Sequence, residues 1–274
     1  MPDSLFGSDS EQDVEESLAL EYGTSHSESA SVPNSGEACG VIQVASRNSD
    51  ARVTASQLVA TSVRPPISGL YLFPDAIPLS MQSSLALSLS DSSIFPASSN
   101  QAMIFDSPFR SSLPSFLSPL LDLLPSILSP LPKPLRDTIF DHTKPRQCIL
   151  NLYHPGQGIS AHVDLPNRYE DGIVGISLLS STVMEFTPVH RPCEEQSKKR
   201  RRRKKEERYA LRIKPGSVYV LSGEARYDYE HGIPCRVEDT VVEPDGTETR
   251  IRRGIRMSIT LRRMREGAEI IGPT

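Results

Sequence analysis

The sequence has no tryptophan, and Phe and Tyr together supply only 6% of its 274 residues. Hydrophobic residues reach 37%, and 23 prolines interrupt them. So little apolar material argues against one core running the whole length and for one domain carrying a polar extension. Cys39, Cys148, Cys193 and Cys235 match neither a disulfide framework nor a C-x2-C zinc site, and read as reduced intracellular thiols. A basic segment followed by an apolar run is missing at the start, so no signal peptide is expected. An unbroken hydrophobic span is missing too: the apolar stretch from Leu113 to Leu131 is cut by Pro114, Pro119, Pro125 and Pro130 and carries Asp122. A soluble chain with no membrane partner is the expectation. Residues 1–46 hold nine acids and no Lys or Arg. The net charge of −4 therefore conceals an asymmetry, because Lys198 to Lys205 form an unbroken basic octet.

These contrasts divide the chain. Residues 1–66, rich in Ser, Glu and Asp, cannot bury enough surface to offset the entropy of ordering and read as a disordered extension, with a short helix around Val14 to Glu21 only against a partner. Order is expected from Ile67, giving a domain over 67–266 and a short tail over 267–274. GLYLFPDAIP signals a strand and MQSSLALSLSD a helix with Leu85 and Leu89 four apart. Gln101 to Phe105 reads as extended, and Ser118-Pro119 and Ser129-Pro130 as two helix starts with Ser as cap and Pro as first helical residue. From Cys148 the period becomes that of strands: 148–153, 173–179, 182–187, 209–213, 218–221, 231–237 and 255–263, with a hairpin over 238–253 turning at Pro244-Asp245-Gly246. The fold expected is mostly β with flanking helices (α+β), a double-stranded β-helix or jelly roll of cupin type. The insert 191–208 holds the octet and reads as an exposed loop. A nuclear localisation signal comes first among its readings, attraction to a nucleic-acid backbone second, and a solvated loop without function third.

One stretch is dense with chemistry. Asn151 to Asp164, NLYHPGQGISAHVD, ends in His162 and Asp164 separated by Val163 alone. On an extended backbone both side chains leave one face and can share a metal ion. His231, in RYDYEHGIPCRV, brings a second imidazole. Two histidines and a carboxylate make the facial triad of non-haem Fe(II) oxygenases, which leaves positions open for co-substrate and O2. RMSITLR carries Arg256 and Arg262 at even spacing, and their planar forks suit a carboxylate co-substrate. Asn151 and Tyr153 add an amide and a phenol toward the same ligand. His154 falls on the other strand face and reads as a loop residue. Gly156 and Gly158 permit a tight turn before the ligand strand. Two readings balance at Arg226 and Tyr227: a substrate pocket, or an ion pair of Arg226 with Glu224 or Glu230 beside a packed Tyr227. Arg252 and Arg253 read as a solvated face, Tyr169 and Glu170 as part of a substrate-facing loop.

The pattern N-x-Y-x-x-G, H-x-D, distal His and R-x-S-x-T-x-R resembles the AlkB family of Fe(II)/2-oxoglutarate dioxygenases, over roughly residues 68–263 and most strongly from Cys148 onward. PGQGI before the first ligand, VMEF after it, and SGEARYDYEHGI around His231 extend the likeness. The last string is most similar to the branch containing the tRNA wobble-uridine hydroxylase. Ser258 stands where many relatives carry asparagine. The resemblance implies His162, Asp164 and His231 as Fe(II) ligands. It implies Asn151, Tyr153, Arg256, Ser258 and Arg262 around 2-oxoglutarate, with O2 as second co-substrate and succinate as product. It implies demethylation or hydroxylation of a base in RNA, tRNA among them, or in single-stranded DNA; the basic octet and the reduced thiols set the expected location as nucleus or cytoplasm. A protein demethylase or hydroxylase using the same iron site is the alternative, and a non-catalytic scaffold ranks last.

Overall fold

The period-two pattern is realised as two facing β-sheets. The computed structural model describes residues 58–91, 93–95, 99–107, 113–189 and 207–268. In chain order these hold β1 (Ala60–Thr61), β2 (Leu70–Phe73), α1 (Leu79–Asp91), β3 (Gln101–Asp106), a 3-10 turn (Ser115–Leu117), α2 (Ser118–Ile127) and α3 (Lys133–Ile139). Then come β4 (Arg146–Tyr153), β5 (Ile159–His162), β6 (Ile173–Leu178), β7 (Thr182–Pro188), β8 (Tyr209–Ile213), β9 (Val218–Leu221) and α4 (Gly223–Tyr227). The chain closes with β10 (Tyr229–Ile233), β11 (Glu238–Val242), β12 (Glu248–Arg252) and β13 (Arg256–Arg263). One sheet has seven strands in the order β12-β11-β1-β8-β7-β10-β5; the other has six, in the order β2-β9-β6-β13-β4-β3. Pairing is antiparallel except at β1, which runs parallel to both β11 and β8. This is the expected double-stranded β-helix, and among the described residues no helix is long and apolar enough to cross a membrane.

Side-chain alternation sorts the six-stranded sheet into two unlike faces. Outward, Cys148 and Leu150 of β4, Val174 and Ile176 of β6, Val218 and Val220 of β9, and Met257, Ile259 and Leu261 of β13 meet the leucines of α1, α2 and α3 in one apolar cluster. Inward, toward the seven-stranded sheet, Ile173, Tyr219 and Leu221 join Met184, Phe186, Leu211 and Ile213 in a second cluster. Burying a side chain such as Leu120 or Leu150, both 0% exposed, contributes about 2 kcal/mol. The helices thus fix one face rigidly. The other face is left for chemistry.

Several boundaries differ from the expectation. Order begins before Ile67, since Ala60–Thr61 is a strand wedged between β11 and β8; its two-residue length leaves no periodic signal. Ser118 is the first residue of α2 rather than its cap, because the 3-10 turn runs straight into the helix and leaves Leu117 in the cap position. No helix starts at Ser129-Pro130: α3 begins at Lys133, with Pro132 as its cap. The strand around His231 covers Tyr229–Ile233, not 231–237, since Pro234 has no N–H to extend the ladder. The stretch 1–57, the basic octet, Cys39, Cys193 and the tail beyond 268 lie outside the described residues.

Candidate functional site

The inner face of the six-stranded sheet is not apolar throughout. Gln147, Asn151 and Tyr153 alternate along β4, and Arg256, Ser258 and Arg262 along β13; all are buried. Register turns this alternation into rows. Ser177, Ser258, Asn151 and Gln101 stand side by side across β6, β13, β4 and β3, and Arg256 pairs with Tyr153 and Arg262 with Gln147. Buried polar groups require partners, and this sheet supplies many. Gln101 Nε2 donates to Asn151 Oδ1 at 2.8 Å, Arg262 Nε to Gln147 Oε1 at 2.6 Å, and Arg256 Nε to Ser177 Oγ at 2.9 Å.

The proposed ligands meet where the seven-stranded sheet ends. β5 is its edge strand and β10 its neighbour, and His231 is the register partner of His162. Their rings stand 4.5 Å apart between centroids. Gly158 makes this possible: a Cβ there would collide with the Ile233 carbonyl oxygen, so only glycine lets the turn approach β10. Asp164, two residues past the end of β5, is 3% exposed and its Oδ2 lies 3.9 Å from His231 Nε2. The other oxygen, Oδ1, accepts a charged hydrogen bond from Arg262 Nη1. As the side chains stand, no group of three His, Cys, Asp or Glu among the described residues is gathered tightly enough to hold a metal ion.

The donor chemistry nonetheless fits such an ion. Asp164 Oδ2 and His231 Nδ1 are buried without a hydrogen-bond partner. Burial alone would push the Asp164 carboxyl up, but Arg262, with smaller contributions from His231, His162 and Arg226, holds it well below the usual carboxylate range. Burial and then His162 push the His231 imidazole down to about 3, against the pull of Asp164. An ionised carboxylate and a neutral imidazole at pH 7 are the forms that bind metal. His162 Nδ1 lies 2.8 Å from the Ser160 carbonyl oxygen, which selects the tautomer protonated at Nδ1 and leaves Nε2 as the nitrogen with a lone pair to offer.

Arg256 makes the second half of the site. It is 3% exposed, and both terminal nitrogens are buried without an acceptor. Its guanidinium carbon lies 5.2 Å from the Tyr153 ring centroid. A desolvated cation with two unused donors is costly unless an anion completes it. Arg262 was expected beside Arg256 on the same ligand. The structure instead commits it to Asp164 and Gln147, with its guanidinium 3.9 Å from the Tyr169 ring centroid.

Other expectations are corrected. Arg226 turns to the main chain: it is 1% exposed and donates from Nη1 to the Asp164 carbonyl at 2.5 Å and from Nη2 to the Leu165 carbonyl at 3.3 Å. Arg253 is not on a solvated face but buried, paired with Asp239 through Nε at 2.6 Å and Nη2 at 2.7 Å. Tyr169 is fully buried rather than substrate-facing, and Glu170 pairs with Lys144. His154 is an exposed turn residue, as expected. Sequence reasoning missed Gln147, Ser177 and Tyr219. Gln147 shares the strand parity of Asn151 and Tyr153, a signal that was available; Ser177 and Tyr219 are placed only by cross-strand register.

Comparison with known proteins places the chain in a family. The family model described as the 2OG-Fe(II) oxygenase superfamily matches residues 112–262. An uncharacterized protein of Acanthamoeba polyphaga mimivirus is 36% identical over 126 residues, covering 46% of this chain and 51% of its own. The tRNA (carboxymethyluridine(34)-5-O)-methyltransferase ALKBH8 of Macaca fascicularis is 37% identical over 143 residues, 48% of this chain and 19% of its own. An alkylated DNA repair protein ALKBH8 homolog of Arabidopsis thaliana is 32% identical over 126 residues, 43% and 34% respectively. The chain thus spans between about a fifth and about half of the length of these curated relatives. Fe(II), 2-oxoglutarate and O2 are the cofactor and co-substrates of that superfamily. With two imidazoles, an ionised carboxylate and a buried guanidinium on the two sheets of a jelly roll, the chain belongs to the 2OG-Fe(II) oxygenase superfamily.

Proposed function

We propose that the protein is an Fe(II)- and 2-oxoglutarate-dependent dioxygenase that demethylates or hydroxylates modified bases in RNA, tRNA included, or in single-stranded DNA. The observation that carries this reading is Arg256, a buried guanidinium with two unpaired nitrogens on the same inner face as the Asp164 clamp. His162, Asp164 and His231 would hold the iron. When bound, Fe(II) supplies activation of O2 coupled to decarboxylation of 2-oxoglutarate to succinate and CO2, with one oxygen atom entering a substrate C–H bond. Arg256 would take the far carboxylate of 2-oxoglutarate, with Tyr153, Asn151 and Ser258 beside it. Arg262 fixes the Asp164 carboxylate, and Arg226 the backbone that carries it. On an N-methyl group the hydroxylated carbon leaves as formaldehyde; on a stable carbon the hydroxyl remains.

A base reaches such a site only when unpaired or flipped out of its stack. The names of two relatives support a nucleic-acid substrate, one naming tRNA and the other alkylated DNA. The octet Lys198 to Lys205 fits the same reading, either as backbone attraction with steep salt dependence or as a nuclear targeting signal. The test is succinate release by the purified protein with Fe(II), 2-oxoglutarate and, in turn, methylated RNA, methylated single-stranded DNA, unmodified tRNA and protein extract. Stimulation by one nucleic acid, with formaldehyde or a hydroxylated base, is the expected result. Stimulation by protein extract alone would move the substrate to protein.

A further inference from the structure

Tyr219 projects from β9 onto the inner face and is 6% exposed. Its register partner on β6 is Gly175. The ring occupies the space above that glycine: a Cβ built at 175 would overlap the ring Cζ and the hydroxyl oxygen. Two residues along the same strand, Ser177 binds Arg256 Nε at 2.9 Å, so the hydroxyl end of Tyr219 is directed to the part of the face where the unpaired guanidinium lies. Tyr153 flanks that guanidinium as well. Burial pushes the Tyr219 phenol up to about 12 and raises Tyr153 too, against the field of Arg256 in both cases. Both hydroxyls are therefore protonated donors at neutral pH. Two phenols and a guanidinium around one spot supply donors without an anion.

We propose that Tyr219 is a second phenol donor to the far carboxylate of the co-substrate, and that its ring, seated on Gly175, limits the length of 2-oxo dicarboxylic acid the pocket accepts. This rests on the dioxygenase reading above. The hydroxyl provides recognition, the ring provides the end wall, and the missing side chain at 175 lets one residue do both. A tyrosine retained only for packing would be served equally by phenylalanine, which gives the test its edge.

The experiment is calorimetric titration of the full chain loaded with Mn(II), which is redox-inert here, using 2-oxoglutarate, the longer 2-oxoadipate, and 2-oxovalerate, which lacks the far carboxylate. Tyr219→Phe is expected to weaken 2-oxoglutarate about tenfold and to leave 2-oxovalerate unchanged. In turnover, KM for 2-oxoglutarate rises while kcat stays within about twofold. Tyr219→Ala is expected to narrow the preference for 2-oxoglutarate over 2-oxoadipate, and Gly175→Ala, whose methyl displaces the ring, to reproduce the affinity loss. Unchanged 2-oxoglutarate affinity in Tyr219→Phe, or an equal loss for 2-oxovalerate, overturns the proposal. Failure of the unaltered protein to bind 2-oxoglutarate overturns the dioxygenase reading itself, and this inference with it.

Discussion

Arg226 donates a 2.5 Å hydrogen bond to the main-chain carbonyl of Asp164, 62 positions away in sequence. One short helix, α4, thereby anchors the backbone that presents a proposed metal ligand. Arg262 holds the side chain of the same residue, so Asp164 is gripped at both ends. Arg226→Met should leave two buried carbonyls short of a donor, at about 1–3 kcal/mol each, and loosen Asp164. The expected outcome in urea denaturation and Mn(II) titration is lower stability together with at least tenfold weaker metal binding. Arg226→Lys, which can reach one carbonyl but not fork across two, should fall between. Wild-type metal affinity in Arg226→Met would remove the anchoring role.

Arg256 predicts the opposite balance. Its charge is buried and incompletely paired, so replacing it with methionine, which fills similar volume, should leave metal-free stability unchanged or improved. The same variant should lose 2-oxoglutarate binding by about a hundredfold, consistent with about 3 kcal/mol for a charge-assisted carboxylate contact. Thermal melts with and without 2-oxoglutarate separate the two effects.

The pH dependence of metal-free stability follows from His231. Its folded-state value of about 3 lies below the ordinary 6.5. Between these, the unfolded chain takes up a proton that the folded chain refuses, so stability is lost as pH falls, by about 1 kcal/mol per unit. Asp164, depressed from 3.8, adds a loss in the same direction below that value. Urea midpoints should therefore drop steadily from pH 6.5 toward pH 4. His231→Gln, with no titrating ring, should flatten the slope across that window.

Gly158→Ala tests the turn. Its methyl would meet the Ile233 carbonyl oxygen, forcing β5 away from β10 and separating His162 from His231. A loss of about 2 kcal/mol or more in denaturation, with weakened Mn(II) binding, is expected. Gly246→Ala is the control for strain without collision, since that glycine has φ +86 but open space around it. It should cost about 1 kcal/mol and leave metal binding intact.

Much of this was determined by the sequence alone. Strand alternation places Asn151 with Tyr153 and Arg256 with Ser258 and Arg262 whatever the rest of the chain does, because Cβ direction has period two. The H-x-D pair and the distant His231 named the metal chemistry by residue type. Tertiary structure decided what each arginine does. Arg226, Arg253, Arg256 and Arg262 are all buried, yet one holds a backbone, one pairs with Asp239, one keeps two nitrogens unpaired and one clamps Asp164. A guanidinium reaches several ångströms from its Cα, so its partner depends on which strands the fold lays beside it. The same holds for Tyr219, whose place above Gly175 is set by the pairing of β9 with β6, a register that links segments far apart in the chain and leaves no local mark in either.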